Sequence, residues 1–369
     1  MKKRDVLRQL QCMLFFFLLM FVPNHVSGVF FHSKHDIINY GGVSSERSSH
    51  IFYVGGSGPE NLTRIQDAID NASDGDTVFV FSGTYYECVL VNKSINLIGE
   101  NQLSTIIDAN HVGNVLQIFA DWVMLTGFTI QNSGDFMYND VGLYVHSNNN
   151  TIANCIVRNN FYGVIFEYAH GNLFSENYVH HNWDGVSING YTSENHITNN
   201  TVSYNDGDGI SAGGDFIHYD RYETISYNIV TRNNNGIYLA GSTEILITRN
   251  TITNNTYDGI WLCDAVNCVI SWNLISDHGE AGIYLEFASN NTFMYNNIMR
   301  AGYWLVYFTN HRIPDKWYRN YWIRSRILPK VIFGNRMFNW EDLEHAFCLP
   351  WVMVDWFPAK EPYDLMLEK

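Results

Sequence analysis

From Gly142 to Leu285, apolar and polar positions alternate in short runs that return at a nearly constant interval. Gly142-Leu-Tyr-Val, Gly163-Val-Ile-Phe, Gly185-Val-Ser-Ile, Gly209-Ile-Ser-Ala, Gly236-Ile-Tyr-Leu, Gly259-Ile-Trp-Leu and Gly282-Ile-Tyr-Leu are spaced by 21, 22, 24, 27, 23 and 23 residues. A second run recurs between them as Ile197-Thr-Asn-Asn-Thr-Val, Ile225-Ser-Tyr-Asn-Ile-Val, Ile247-Thr-Arg-Asn-Thr-Ile and Ile270-Ser-Trp-Asn-Leu-Ile. A period of this length is the mark of a solenoid, whose units bury their apolar faces only against their neighbours. In Gly236-Ile237-Tyr238-Leu239 the alternation sends Ile237 and Leu239 inward and Tyr238 outward. Each repeat holds about three short strands, stacked in parallel at ~4.8 Å per coil.

The chain therefore reads as all-β, a right-handed parallel β-helix of about ten coils. The recurrent Asn (Asn177, Asn200, Asn228, Asn250, Asn273, Asn296) takes one bend position in successive coils, where its amides can bond up and down the stack. The recurrent Gly is expected to take positive φ at a turn. Residues 61–72 form the one good helix candidate: Ile65, Ala68 and Ile69 share a face, and Asn61 is placed to cap its start. Such a helix covers the open end of the core and shields bare strand edges. The repeat fades after Met299, and residues 304–356 hold six of the ten tryptophans. The expected organisation is 51–303 for the β-helix with its N-terminal cap and 304–369 for a Trp-rich C-terminal cap, with a short helix near Trp340.

Lys2, Lys3 and Arg4 precede an apolar run from Met13 to Val22, and Val26-Ser27-Gly28 resembles a small-residue cleavage site. This is the build of a secretory signal over residues 1–28, followed by a polar lead-in over 29–50. The run is short for a membrane span, which needs about 20 residues, so the mature chain has none. The protein is expected outside the cytoplasm, secreted, at the cell surface or in a periplasm. A net charge of −15 excludes a nucleic-acid partner, which would require clustered Lys and Arg. The six cysteines (Cys12, Cys88, Cys155, Cys263, Cys268, Cys348) are scattered, so no disulfide framework or zinc site follows. Cys263 and Cys268 could pair across a turn or remain as two free thiols.

Three features carry candidate chemistry. Asp184, Asp208 and Asp258 each precede the recurrent Gly, with Asn235 in the intervening coil. Asp184 and Asp208 should lie one coil apart, where two carboxylates raise each other's pKa, recruit a cation such as calcium, or serve as a glycosidase pair. Asp-Gly and Asn-Gly are also good turn formers, which gives the column a purely structural reading. The 27-residue interval carries an insertion with Asp215, His218, Asp220 and Arg221, placing acid, base and cation near that column. Finally, Ser187, Ser211, Tyr238, Trp261 and Tyr284 form an outward column whose three aromatics could seat sugar rings.

Ile51-Phe-Tyr-Val-Gly-Gly-Ser-Gly, Ile65-Gln-Asp-Ala-Ile-Asp, Gly75-Asp-Thr-Val-Phe-Val-Phe-Ser-Gly-Thr-Tyr and Ile95-Asn-Leu-Ile-Gly-Glu resemble the opening of NosD-type proteins. The Asn-Asn-Thr-Ile and Asp-Gly-Ile repeats resemble theirs too. Asn320-Tyr-Trp and Asp355-Trp-Phe-Pro-Ala-Lys-Glu-Pro-Tyr-Asp resemble the closing segment of surface β-helix proteins common in archaea. The resemblance spans roughly residues 50–369 and implies a pectin-lyase-like β-helix with, for NosD itself, a periplasmic copper-related role. Copper needs converging soft or imidazole ligands, and His180, His181, His196, His218 and His278 are spread over several coils. Asn182-Trp-Asp184 and Asp206-Gly-Asp208 loosely resemble the acidic motifs of polygalacturonases, but the next coil brings Arg232-Asn-Asn-Asn-Gly where a His-Gly should follow.

The sequence thus points to an exported cell-envelope β-helix protein that is not an enzyme and needs no cofactor. It would bind glycan or an envelope protein through Asp215, Asp220, Tyr238, Asp258, Trp261 and Tyr284 along one face. Two alternatives stay open: a polysaccharide lyase or glycoside hydrolase using Asp184, Asp208, His218 and Arg221, and a copper-handling accessory protein. Sequons such as Asn92 and Asn199 suit an exported chain.

Overall fold

The computed structural model describes residues 49–135, 140–213, 221–311, 313–324, 328–338 and 347–364. The expected signal, most of the lead-in, the core of the insertion and the short helix near Trp340 lie outside these residues. In the unit that begins at Ile51, successive coils contribute strands to three sheets in turn. One coil illustrates the set: Leu246–Thr248 belongs to the first sheet, Thr251–Thr253 to the second and Ile260–Cys263 to the third. Among the described residues the sheets hold 12, 11 and 12 strands. The result is a right-handed parallel β-helix of about 12 turns rather than ten.

Register is continuous because inward positions repeat. On the third sheet Ile210, Ile237, Ile260 and Ile283 align, as do Leu239, Leu262 and Leu285. Ile225, Ile247, Ile270 and Phe293 do the same on the first sheet. All of these side chains are fully buried, so each coil is covered by its two neighbours. The stack continues past the boundary expected at 303. Trp304–His311 pairs in parallel with Ala281–Glu286, and Lys316–Tyr318 and Tyr321–Trp322 extend the other two sheets. Bulkier inward residues, Phe308, Trp317 and Trp322, replace the Ile and Leu of earlier coils there, which is why the repeat is hard to see. An antiparallel hairpin, Lys330–Phe338 with Phe347–Asp355, then ends the third sheet.

At the other end, helix α1 (Ile65–Asn71) buries Ile65, Ala68 and Ile69 against the first coil, the face expected of it. Its cap is not Asn61, whose side-chain amide donates to the Gly55 carbonyl. The N–H groups of Ile65 and Gln66 instead donate to the Glu87 carboxylate, at 2.8 and 3.2 Å. An acid from the next coil thus satisfies the helix start and favours its dipole.

The recurrent glycines at the entry to the third-sheet strands also differ from expectation. Gly163, Gly185, Gly209, Gly236, Gly259 and Gly282 are absent from the positive-φ positions. They are required by close approach: a Cβ on Gly185 would lie 2.3 Å from the Gly209 carbonyl oxygen, and one on Gly236 would lie 2.4 Å from that of Gly259. The left-handed corners are filled by non-glycine residues such as Asn199 (φ 56), Tyr227 (φ 56) and Arg249 (φ 57).

Buried Asn ladders occupy all three corners, not one. Between the first and second sheets, Asn177, Asn200, Asn228, Asn250, Asn273, Asn296 and Asn320 follow one another. Asn228, for example, donates its backbone N–H at 2.9 Å and its side-chain amide at 3.0 Å to Asn250 Oδ1. Asn160, Asn182, Asn205, Asn233 and Asn255 line the corner entering the third sheet, and Asn150, Asn172 and Asn195 the corner leaving it. Each rung satisfies backbone groups that the bend removes from the strand ladders.

Candidate functional site

The third sheet presents its outward residues in columns. The central column is Tyr144, Ile165, Ser187, Ser211, Tyr238, Trp261, Tyr284 and Tyr307, one per coil. The outward order read from sequence holds from Ser187 to Tyr284. Where the column falls to two serines the surface sinks, and the next column adds small residues at Gly213 and Ala240. The result is an open depression of about 470 Å³ lined in part by Tyr162, Asp184, Ser187, Asp208, Ser211 and Tyr238. Ser187 and Ser211 form its floor with their hydroxyls 3.0 Å apart, while Ile165 and Tyr238 stand in the flanking coils.

Asp184 and Asp208 stand together on the rim, yet both are engaged along the stack. The N–H of Asp208 donates to Asp184 Oδ1 at 2.8 Å, and the Asn235 side-chain amide donates to Asp208 Oδ1 at 2.7 Å. Asp258 continues the series. Its N–H donates to Asn235 Oδ1 at 3.2 Å, and its own Oδ1 accepts from the N–H of Ala281 at 3.0 Å. The column therefore ties coils together, as its turn-forming sequence allows. Burial pushes the Asp184 carboxyl above the usual carboxylate range, offset in part by the N–H of Asp208. Burial, and then the charge of Asp184, raise the Tyr162 phenol next to it. A carboxyl group and a phenol on one rim make a hydrogen-bonding edge suited to hydroxyl-rich ligands.

The other proposed residues divide. Tyr238 lines the depression. Trp261 packs 4.5 Å from Tyr238 and 5.9 Å from Tyr284 between ring centroids and is only 7% exposed, so its ring is not an open platform. Tyr284 stacks on Tyr307 at 6.2 Å and shares a hydrogen bond with Thr309. Asp258 is buried at 1% exposure. Asp215, His218 and Asp220 lie outside the described residues. Arg221 does not join the carboxylates: the insertion departs at the end of the strand Ile210–Gly213, and Arg221 bridges Ser193 and Thr243 on the turn towards the first sheet. Asp184 and Asp208 stand at the opposite, entering end of their strands.

Tyr162 and Asn189 are site residues that the sequence reading passed over. Tyr162 had a signal, since it precedes Gly163 as Asp184 precedes Gly185.

Among the described residues no group of three or more His, Cys, Asp or Glu side chains is placed to hold a metal ion. His180 and His181 touch each other, but no third ligand residue converges on them. His278 is buried in an Asn ladder, its Nδ1 accepting from the N–H of Asn255. Cys263 and Cys268 are both free and buried, so the pairing across the turn does not form. Among the described residues no helix is long and apolar enough to cross a membrane.

These features define a right-handed parallel β-helix with a shallow polar depression on one sheet. The profile of the family described as periplasmic copper-binding protein (NosD) matches residues 69–249 and 211–340, and the chain belongs to that family. A cell surface glycoprotein of Methanothermus fervidus is 32% identical over 209 residues, 53% of this chain. That match spans about a third (34%) of the glycoprotein's length. Among solved structures, the A-module of mannuronan C-5 epimerase AlgE4 from Azotobacter vinelandii is similar with a TM-score of 0.59. It shares 16% identity, over 73% of this chain and 91% of that one. Pectate lyase Pel9A is similar at a TM-score of 0.52 and 17% identity, over 73% of this chain and 77% of that one. At these identities the two structures speak for the fold alone.

Proposed function

We propose that this chain is an exported, extracytoplasmic β-helix protein that binds glycan in the depression over Ser187 and Ser211, without cleaving it. The periplasmic family and the cell-surface relative support the location. The reading rests on one observation: a depression of about 470 Å³ combines hydroxyls, carboxyls and the rings of Tyr162 and Tyr238, while its two carboxylates each accept a bond from the stack. Aromatic walls with a few placed polar groups are what sugar rings require. Its length is short, two coils between Ile165 and Tyr238, which suits a chain end or a disaccharide rather than the middle of an endless polymer. Copper is a poor match for the described residues, which offer at most a touching pair of imidazoles and no larger converging set.

A glycan array tests the proposal. Binding to at least one glycan class is expected, with loss of more than tenfold in Ser211→Trp, which fills the floor from the solvent side. Asp184 keeps a raised carboxyl pKa, and this favours a second reading as a polysaccharide-cleaving enzyme. Product release from an acidic polysaccharide, abolished in Asp208→Asn, would establish that reading in place of ours.

A further inference from the structure

Seven Asn-x-Ser/Thr sequences occur in the chain, at Asn61, Asn71, Asn92, Asn149, Asn199, Asn254 and Asn290. Four of them have the form Asn-Asn-Thr at a coil corner. In Asn149-Asn150-Thr151, Asn199-Asn200-Thr201 and Asn254-Asn255-Thr256, the second Asn is a buried ladder rung and the first is exposed. The exposed Asn takes the left-handed conformation in each, with φ of 57, 56 and 55. Among the described residues its side-chain amide nitrogen donates no hydrogen bond. The threonine that follows the rung is exposed or half-buried in all three.

We propose that Asn149, Asn199 and Asn254 are N-glycosylation sites of the folded protein. The co-reactant class is an oligosaccharide carried on a lipid pyrophosphate. The Asn side-chain nitrogen attacks the anomeric carbon and loses one proton as the N–C bond forms. The bond from that carbon to the phosphate oxygen breaks, and the lipid pyrophosphate leaves with the electron pair. The exposed sequon is what such a transfer needs.

The structure supplies internal controls. Asn290-Asn291-Thr292 has the same form, but Asn290 is half-buried and its amide nitrogen donates to Asn267 Oδ1 at 2.6 Å. Asn61 is half-buried and its amide nitrogen is committed to the Gly55 carbonyl. The three acceptors also fall on three different corners: Asn149 leaving the third sheet, Asn199 between the first and second, and Asn254 entering the third. Glycans there would clothe the edges of the solenoid and leave the depression over Ser187 and Ser211 open. Modification at these corners is independent of what that depression binds.

The test incubates the folded full-length chain with an oligosaccharyltransferase and a lipid-pyrophosphate-linked oligosaccharide, then maps occupancy by peptide mass. Occupancy at Asn149, Asn199 and Asn254 is expected to exceed that at Asn61 and Asn290 by at least fivefold. The substitutions Thr151→Val, Thr201→Val and Thr256→Val destroy each sequon while keeping the corner Asn and a β-branched side chain. Each should remove one glycan and leave the far-ultraviolet spectrum unchanged. No transfer to any of the three, or equal transfer to Asn61, would overturn the proposal. The sequons would then be by-products of a repeat that places Asn at the corner, Asn at the rung and Thr after it.

Discussion

Asn320 gives both its backbone N–H and its side-chain amide to a single carboxylate oxygen of Asp355, at 2.9 and 3.2 Å. Every rung before it in this ladder gives the same two donors to the next Asn. The position after the last Asn need only accept, so an acid is the fitting terminus. Asp355 also accepts from the N–H groups of Arg319 and Phe357 and from Trp322 Nε1, and it is fully buried. The other corners end in the same spirit: Asn195 donates to Glu223, Asn291 further along that corner to Asp315, and Asn255 to His278.

Asp355→Ala should therefore unseat the last coils. Several buried donors lose their acceptor at once, a cost of about 3 kcal/mol or more. Because a solenoid is stabilised by nearest neighbours, the loss should be local. Hydrogen exchange is expected to accelerate over residues 316–322 and to stay unchanged near residue 150. Asp355→Asn, which keeps an acceptor, should show a smaller effect.

His278 provides a pH dependence. Its neutral ring accepts at Nδ1 from Asn255 and donates at Nε2 to the Ile252 carbonyl, and burial holds its pKa down to about 4. A histidine depressed in the folded state contributes stability above its unfolded pKa of about 6.5 and loses it as pH falls through the folded value. The effect amounts to about 3 kcal/mol at most, since each tenfold change in proton affinity is worth ~1.4 kcal/mol. Urea midpoints measured from pH 7 to pH 4 should fall more steeply in the wild type than in His278→Asn, which restores the usual rung residue. Equal slopes would show that other groups govern acid unfolding.

Trp261 and Tyr238 should separate stability from binding. Trp261 is buried between two rings, and Trp261→Ala is expected to cost about 3 kcal/mol by opening a cavity. Tyr238→Ala removes a wall of the depression and should weaken glycan binding more than tenfold with a smaller stability loss. Unfolding curves and binding isotherms of both variants check the contrast. A Trp261→Ala protein of full stability but no affinity would reverse the assignment.

Much of this was legible in the chain itself. The Gly-Ile-x-Leu interval placed the third-sheet strands, and alternation within it predicted the outward column from Ser187 to Tyr284. What escaped depends on contacts between distant residues. Glu87 caps α1 from 22 residues beyond Ile65, and Asp355 ends a ladder begun near Asn177. The reason for the recurrent glycine is likewise a neighbouring coil's carbonyl, invisible to a local reading that expected a positive φ. The coils after Met299 hide because Trp and Phe fill the core where Ile and Leu did before. Trp261 reads as an outward aromatic and is one, but its exposure is decided by its neighbours.

The two serines at the floor of the depression have a consequence for how such a protein can change. Their column is outward-facing, so it neither fills the core nor forms the rungs at the corners. A substitution at 211 alters relief on one face while the register beneath is held by other residues. The scaffold thus behaves as a printed page whose letters can be replaced one line at a time. New specificities on this face are most within reach at Ser211, which is half-exposed, whereas Ser187 and Trp261 are packed into the face.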